Sequence, residues 1–401
     1  MDRICFLVGY NLYDTKRAFT ESLAAALRQR GVSTAIVEVA DIQLSERNVE
    51  QILQTKPDLT CSFNSINPVD GGSFLWDFLK IPHLSLLVDP SIYSLELTRS
   101  PYSLVSCVDY FDNELLANTG FEHSFFFGHG VDNELVIAGP RDKVYDVVFV
   151  GSSYDPEVCL QRWKHSYDPK VQTVLHEASQ RTLSEPETAF TQALSIAIKE
   201  HQIQDPGLDF VELAREVDTY TRALDRVELL RNIKDAEVHV FGGRGWQDGE
   251  EDARDWRELL DGKENIVVHP SVAFEQAQEI MRQSKICLNS MPFFKHGTHE
   301  RVLLALAAEA VVVSSPSSYL ESYIEDERGF FTYTHGKWDE LNTLLRQLLS
   351  DESSRQEAAE RGRKVVGIEH SWHVRAGQLI DACGSLLESI ANESYVRTFD
   401  T

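Results

Sequence analysis

"YDVVFVGS", residues 145–152, is the stretch whose reading decides the fold. It is an apolar run that ends in Gly-Ser, and it restarts a pattern set by "ICFLVGYN" at residues 4–11. Continuous apolar runs of this length, bounded by glycine, read as strands buried on both faces of a parallel sheet. Upstream, strand signals recur at 3–10, 33–39, 59–64, 84–89 and 103–109. Between the first two, "KRAFTESLAAALRQR" (16–30) has helical periodicity and stops at Gly31, the residue type favoured just past a helix. Downstream, 156–217 is polar and helical without a strand signal. Alternation then resumes with a helix at 218–233, strands at 236–243 and 265–271, a helix at 274–284 and a strand at 285–291. "HGTHERVLLALAAEAVVVSS" (296–315) follows, with Thr298 expected to cap a helix through about Glu309 and Val311–Val313 beginning a strand. The fold class is α/β, as two strand–helix units in series with a helical insertion in the second.

A chain of 401 residues accommodates two such units. Its formal net charge of −25 excludes the clustered cationic surface that nucleic acid or an anionic membrane demands. No apolar stretch reaches the roughly 18–20 residues that span a bilayer, and the start lacks a basic-then-apolar leader, so a cytoplasmic location is expected. Cys5, Cys61, Cys107, Cys159, Cys287 and Cys383 form no CxxC or zinc-type spacing and read as reduced core residues.

In open α/β sheets, ligands gather at the carboxyl ends of the strands. Those ends carry Asn11, Asn64, Asp89, Gly151-Ser152, the glycine-rich "VFGGRGWQDG" (240–249) and His269-Pro270-Ser271. Gly243 and Gly245 permit close backbone approach, and Arg244 between them can bind a diphosphate; the same residues also fit a plain turn. The GxGxxG dinucleotide fingerprint is not met, since Asp248 stands at the third glycine position. Asp89, just past a strand, suits a general base or a ligand for substrate hydroxyls, but it also suits a turn before Pro90. His129 and Gly130 lie in "HGVDNE" (129–134), where the first unit hands over to the second. The cluster Gly297-Thr298-His299-Glu300-Arg301 opens a helix, whose unpaired N–H groups and dipole can hold a phosphate. There is no GxSxG elbow, HExxH, P-loop or strand-end Asp-x-Asp, so no metal and no cofactor are expected.

The order "HGVD", "DVVFVGS", Gly-x-Gly-Trp, "VVHPSVAFEQAQEIMRQSKICLNSM" and "HERVLLALAAEAVVVSS" resembles the group 1 glycosyltransferases of GT-B fold, closest to their CgeB-like, flagellin-modifying branch. The resemblance covers about residues 84–380. It implies two Rossmann-like domains facing a cleft: 1–140 for the acceptor and 141–370 for the donor nucleotide, with the insertion at about 156–217. Residues 371–401 would then cross back to the first domain. It implies a nucleotide-sugar donor, a UDP-sugar favoured, and a protein or surface-polymer acceptor. Gly243, Arg244, Gly245 and the N–H groups at Gly297–His299 would face the donor diphosphate, joined by Arg301. His269 and Ser271 would border the base, and His299, Glu300 and Arg301 are the nearest polar substitutes for the family's ribose contact. Asn11, Asn64, Asp89 and His129 would lie on the acceptor side, Asp89 and His129 as catalytic candidates. The chain departs from the family pattern at Leu304, where the family has a glutamate for the donor ribose, and at Glu309, where it has a helix-closing glycine. Leu304 keeps open an alternative, a sugar-nucleotide or glycan binding protein without turnover.

Overall fold

The computed structural model describes all residues except 10–12, 40–43, 65, 70, 139–140, 206, 246–252 and 398–401. Asn11, Trp246 and Asp248 therefore lie outside the described residues. The chain forms two compact units, Met1–Glu134 with Gly367–Thr401, and Leu135–Val366.

In the first unit, β1 (Arg3–Gly9), β2 (Ser33–Val39), β3 (Leu59–Phe63), β4 (His83–Leu86), β5 (Ser103–Cys107) and β6 (Ser124–Phe126) form one sheet. Its order is β2-β1-β3-β4-β5-β6 and every pairing is parallel. The direction of winding therefore reverses between β1 and β3. The helix Thr15–Gln29 ends as expected, with Gly31 at φ +87°, where a side chain would be strained. A long helix, Trp372–Arg397, packs against it. That helix is tied to the unit by a parallel bridge between Ser371 and Val131, and by Arg375 Nε donating to the His129 carbonyl at 2.9 Å.

The second unit has β7 (Tyr145–Val150), β8 (Val238–Phe241), β9 (Ile266–His269), β10 (Ser284–Asn289), β11 (Val311–Ser314) and β12 (Phe330–Thr332). Its order is β12-β11-β10-β7-β8-β9, again all parallel. Counted from β7, this is the doubly wound order 3-2-1-4-5-6, with its switch point between β7 and β10. Val147, Phe149, Val238, Val240, Ile286, Leu288, Val311 and Val313 fill one face of the sheet and join a single apolar cluster. The alternation follows from the two-residue period of a strand.

The insertion is helical, as the sequence suggests. Pro156–Ser166 and Pro169–Ser184 each begin with proline at the first helical position, behind an aspartate whose carboxylate caps the free N–H groups. Phe190–Glu200 follows, and Phe210–Arg231 starts earlier than the expected helix at 218, behind the cap Asp209. The three-residue strands β6 and β12 carry no readable signal in the sequence. All six cysteines are buried and unbridged. No described helix is long and apolar enough to cross a membrane.

At the opening of helix Glu300–Ala307, the cap is His299, whose ring accepts from the Arg301 N–H, and not Thr298. Thr298 is wholly buried one residue too early, and the backbone stays extended until 299. The helix also stops at Ala307, short of Glu309. Glu309 takes the left-handed conformation, φ +58°, that a closing glycine would take freely; for a side chain this costs roughly 1–2 kcal/mol. Two contacts offset that strain. The Glu309 carboxylate lies 2.8 Å from Arg363 Nε, and its carbonyl accepts from Lys143 Nζ at 2.7 Å.

Candidate functional site

The second unit concentrates cations at its switch point. Helix Phe210–Arg231 carries Asp218, Arg222 and Arg226 four residues apart, hence on one face. Arg226 is only 5% exposed and donates from Nη1 to the Ser152 carbonyl just beyond β7, at 2.9 Å. Its guanidinium lies over the Tyr154 ring, 5.1 Å from the centroid. Arg301, from the helix after β10, donates to the Val150 carbonyl at 2.8 Å. A Cβ on Gly151 would meet Arg301 Nη1 at 2.5 Å, so Gly151 leaves room for the guanidinium. Arg222 pairs with Asp218 at 2.6 Å and lies 3.5 Å over the ring of Phe293, just past β10. Arg244 is exposed and forms a parallel bridge with Ser153 on the same loop.

Arg226 and Arg301 lie close enough for their charges to oppose each other. Burial, and then Arg301, lower the pKa of Arg226 to about 10. Burial chiefly lowers that of Arg301, Arg222 adding to it against the pull of Glu300 and Tyr154. Arg226 Nε is buried and meets no acceptor among the described residues. A buried donor without a partner costs about 1–3 kcal/mol, which an incoming anion would recover. The arrangement fits a diphosphate-sized anion at the end of β7.

The described residues of the glycine loop pack closely against residues 151–154. A Cβ on Gly242 would sit 2.0 Å from the Gly151 carbonyl oxygen, and one on Gly245 would sit 2.7 Å from that of Ser153. Ser153 N–H donates to the Gly243 carbonyl at 2.9 Å, and Gly245 N–H to the Ser153 carbonyl at 2.8 Å. Gly242 and Gly245 are thus small so that the loop can pack against 151–154; the close approach is to the chain. Among the described glycines of the loop, Gly243 alone tolerates a Cβ, at 3.7 Å from Ser271 Oγ.

His269 stacks on Phe241 at 4.2 Å and shares a hydrogen bond with His239 at 2.8 Å. Burial, then the neighbouring His239, lower its pKa and favour the neutral ring. Ser271 beyond it is exposed. Gly297 and Thr298 are buried inside their loop, with the Gly297 carbonyl accepting from Ser317 Oγ at 2.5 Å. They shape the mouth of the helix and are not at its surface. His299, Glu300 and Arg301 form the partly open rim, His299 Nδ1 lying 2.5 Å from Glu300 Oε2. Leu304 is buried at 4% exposure and offers no polar group to a ribose.

In the first unit, Asn64 and Asp89 do come together. Asn64 Nδ2 donates to Asp89 Oδ2 at 2.8 Å, and Asn64 Oδ1 accepts from Val88 N–H at 2.9 Å. The amide therefore fixes the carboxylate at the ends of β3 and β4, while Asp89 itself stays exposed. Lys16, at the start of the first helix, is lowered in pKa by burial, with the Asp89 charge opposing that shift. His129 is elsewhere in character. It is 2% exposed, its ring 5.6 Å from that of Phe19, so it packs where the sequence suggested a site. A Cβ on Gly130 would strike the Trp372 ring at 2.4 Å, which explains the glycine as a packing requirement.

Arg222 and Arg226 were not legible as site residues: the carbonyl that Arg226 bonds lies 74 residues away in sequence, and Arg222 lies over Phe293 from another segment. The nearest signal was their four-residue spacing behind Asp218 on a helix that leads into a buried strand.

Residues 222–381 match a family model described as glycosyl transferase-like. An uncharacterized protein of Aquifex aeolicus is 22% identical over 242 residues, 54% of this chain; the match spans 58% of that relative's length. Among solved structures, sucrose-phosphate synthase of Thermosynechococcus elongatus is similar at TM-score 0.57 and 10% identity, over 97% of this chain and 100% of that one. HepE of Anabaena, solved in complex with UDP and glucose, is similar at TM-score 0.58 and 13% identity, over 96% of this chain and 100% of its own. The chain has the two-sheet α/β fold of GT-B type, and its residues 222–381 match the glycosyl transferase-like family model.

Proposed function

We propose that the protein is a glycosyltransferase that moves a sugar from a nucleotide-sugar donor, a UDP-sugar favoured, to a protein or surface-polymer acceptor in the cytoplasm, as in the CgeB-like branch. The observation that carries the reading is the convergence of Arg226 and Arg301 on the end of β7, with a buried guanidinium N–H left for an anion. In sugar transfer the bond from the anomeric carbon to the diphosphate oxygen breaks, and negative charge grows on the leaving group. Fixed arginines in a partly dry site stabilise that charge without a metal. On the acceptor side, Asp89, oriented by Asn64, takes the proton from the attacking hydroxyl as the new glycosidic bond forms.

The test is a panel of sugar nucleotides, read by thermal stabilisation and nucleoside diphosphate release together. A ligand that binds only the folded state must raise the melting temperature by mass action. Stabilisation with release, in the presence of a cell extract as acceptor source, is the expected result. Leu304 supports a second reading, a binding protein without turnover. Stabilisation without release would favour it, and no stabilisation by any nucleotide would overturn both.

A further inference from the structure

Asp225, the residue before Arg226, is fully buried and carries more hydrogen bonds than a helix residue needs. Its Oδ2 accepts from Ser290 Oγ at 2.6 Å and from Tyr333 Oη at 2.5 Å. Its Oδ1 meets His335 Nδ1 at 2.9 Å, while His335 Nε2 lies 3.1 Å from Glu228 on the same helix. One carboxylate thus joins helix Phe210–Arg231 to the loop after β10 and to the segment after β12. A cavity of about 50 Å³ beside it is lined by Asp225, Lys295, Ser315, Tyr333 and His335. Lys295, which borders the same cavity, donates to the Thr182 and Glu185 carbonyls at 2.6 and 3.1 Å.

We propose that Asp225, Tyr333 and His335 are positioning residues for donor binding: they lock the rotation and depth of the helix that presents Arg222 and Arg226 to the diphosphate. The inference rests on the donor-site reading above. A helix turns by about 100° per residue, so clamping residue 225 fixes where the side chain of 226 emerges. Bonds to a charged, buried acceptor are the strong class, and each lost one leaves the others unbalanced.

The hub has a chemical signature that plain packing lacks. The groups that face His335 are Asp225 and Glu228 from the helix, with Tyr333 and Lys295 bordering the same cavity. Burial depresses the imidazolium, but the two carboxylates outweigh it and raise the pKa to about 9. The ring is therefore charged at neutral pH. The contribution of this ion pair is complete below about 6.5, the ordinary histidine value, and is lost as pH rises through about 9.

The test measures UDP binding by calorimetry between pH 6.5 and 10 for the wild type, His335→Gln and Tyr333→Phe, with a thermal melt of each. The expected result at pH 7 is a roughly five- to tenfold weaker affinity in each variant, the size of one lost hydrogen bond. The wild type should also lose affinity toward pH 9 more steeply than His335→Gln. Arg226 and the nucleotide titrate in both proteins, so the difference between the curves isolates the histidine. If UDP binds the wild type and both variants equally, with parallel pH curves, the inference fails while the donor site stands. A loss of thermal stability with unchanged affinity has the same meaning, a structural hub only. Wild type that binds no UDP at any pH overturns the donor-site reading and this inference with it.

Discussion

The carboxyl ends of the two sheets, each six-stranded and all parallel, differ in chemistry. At the end of β7, Arg226 and Arg301 donate to the backbone, and Arg222 and Arg244 stand nearby. At the ends of β3 and β4, the polar groups are one amide, one carboxylate and one lysine. Ligands of open α/β sheets gather outside the carboxyl ends of the strands in either case; the side chains decide what is held there. The first set suits a ligand that arrives negative and leaves more negative. The second suits a neutral hydroxyl that must give up a proton. The difference also teaches how each edge is built. Asp89 is placed by a residue 25 positions away on the neighbouring strand, whereas Arg226 is placed by carbonyls 74 positions away and by a buried hub.

The comparison is sharpest where one edge is damaged and the other is read. Asp89→Asn is expected to lower kcat by roughly 10²–10⁴-fold and to leave the UDP affinity unchanged, as measured by initial rates and calorimetry. A weakened UDP affinity in that variant would break the division of labour. Arg226→Gln is expected to do the reverse, lowering kcat/KM by roughly 10²-fold chiefly through donor binding. Unchanged donor KM together with unchanged kcat would remove Arg226 from the site.

Gly242→Ala tests whether the glycine loop serves the chain or the ligand. Its Cβ would fall 2.0 Å from the Gly151 carbonyl oxygen, a backbone atom that cannot swing aside. Overpacking of this kind costs about 3 kcal/mol, so denaturant melts should show a clear loss of stability. An unchanged midpoint would show that the loop relaxes freely. The smallest effect belongs to Arg244→Ala. As an exposed cation it should weaken donor affinity by roughly two- to fivefold at low salt, and that effect should fade toward 1 M salt. A loss as large as that for Arg226→Gln would make the exposed arginine the principal anchor instead.

The fold was legible from its repeats. "ICFLVG" and "YDVVFVG" are both continuous apolar runs closed by glycine, and parallel sheets buried on two faces require such runs. Gly31 marked a helix end for a reason that holds in the structure, a positive φ. The edge strands β6 and β12 escaped because three residues are too few for a period to register. The site was legible only in part. Asn64 and Asp89 each end a strand, and topology alone puts them side by side. The helix cap expected at Thr298 falls on His299 because Thr298 is buried in its loop, and the packing of Gly245 against Ser153 and Tyr154 is made by a segment distant in sequence. Arg222 and Arg226 sit on an otherwise ordinary amphipathic helix, and nothing local separates them from solvated surface arginines.

The most direct test of the central claim, an anion seat at the end of β7, is a crystal structure of the protein soaked with UDP. The account expects diphosphate oxygens within about 3 Å of the Arg226 Nε and the Arg301 guanidinium. An ordered UDP whose diphosphate touches neither arginine would contradict it.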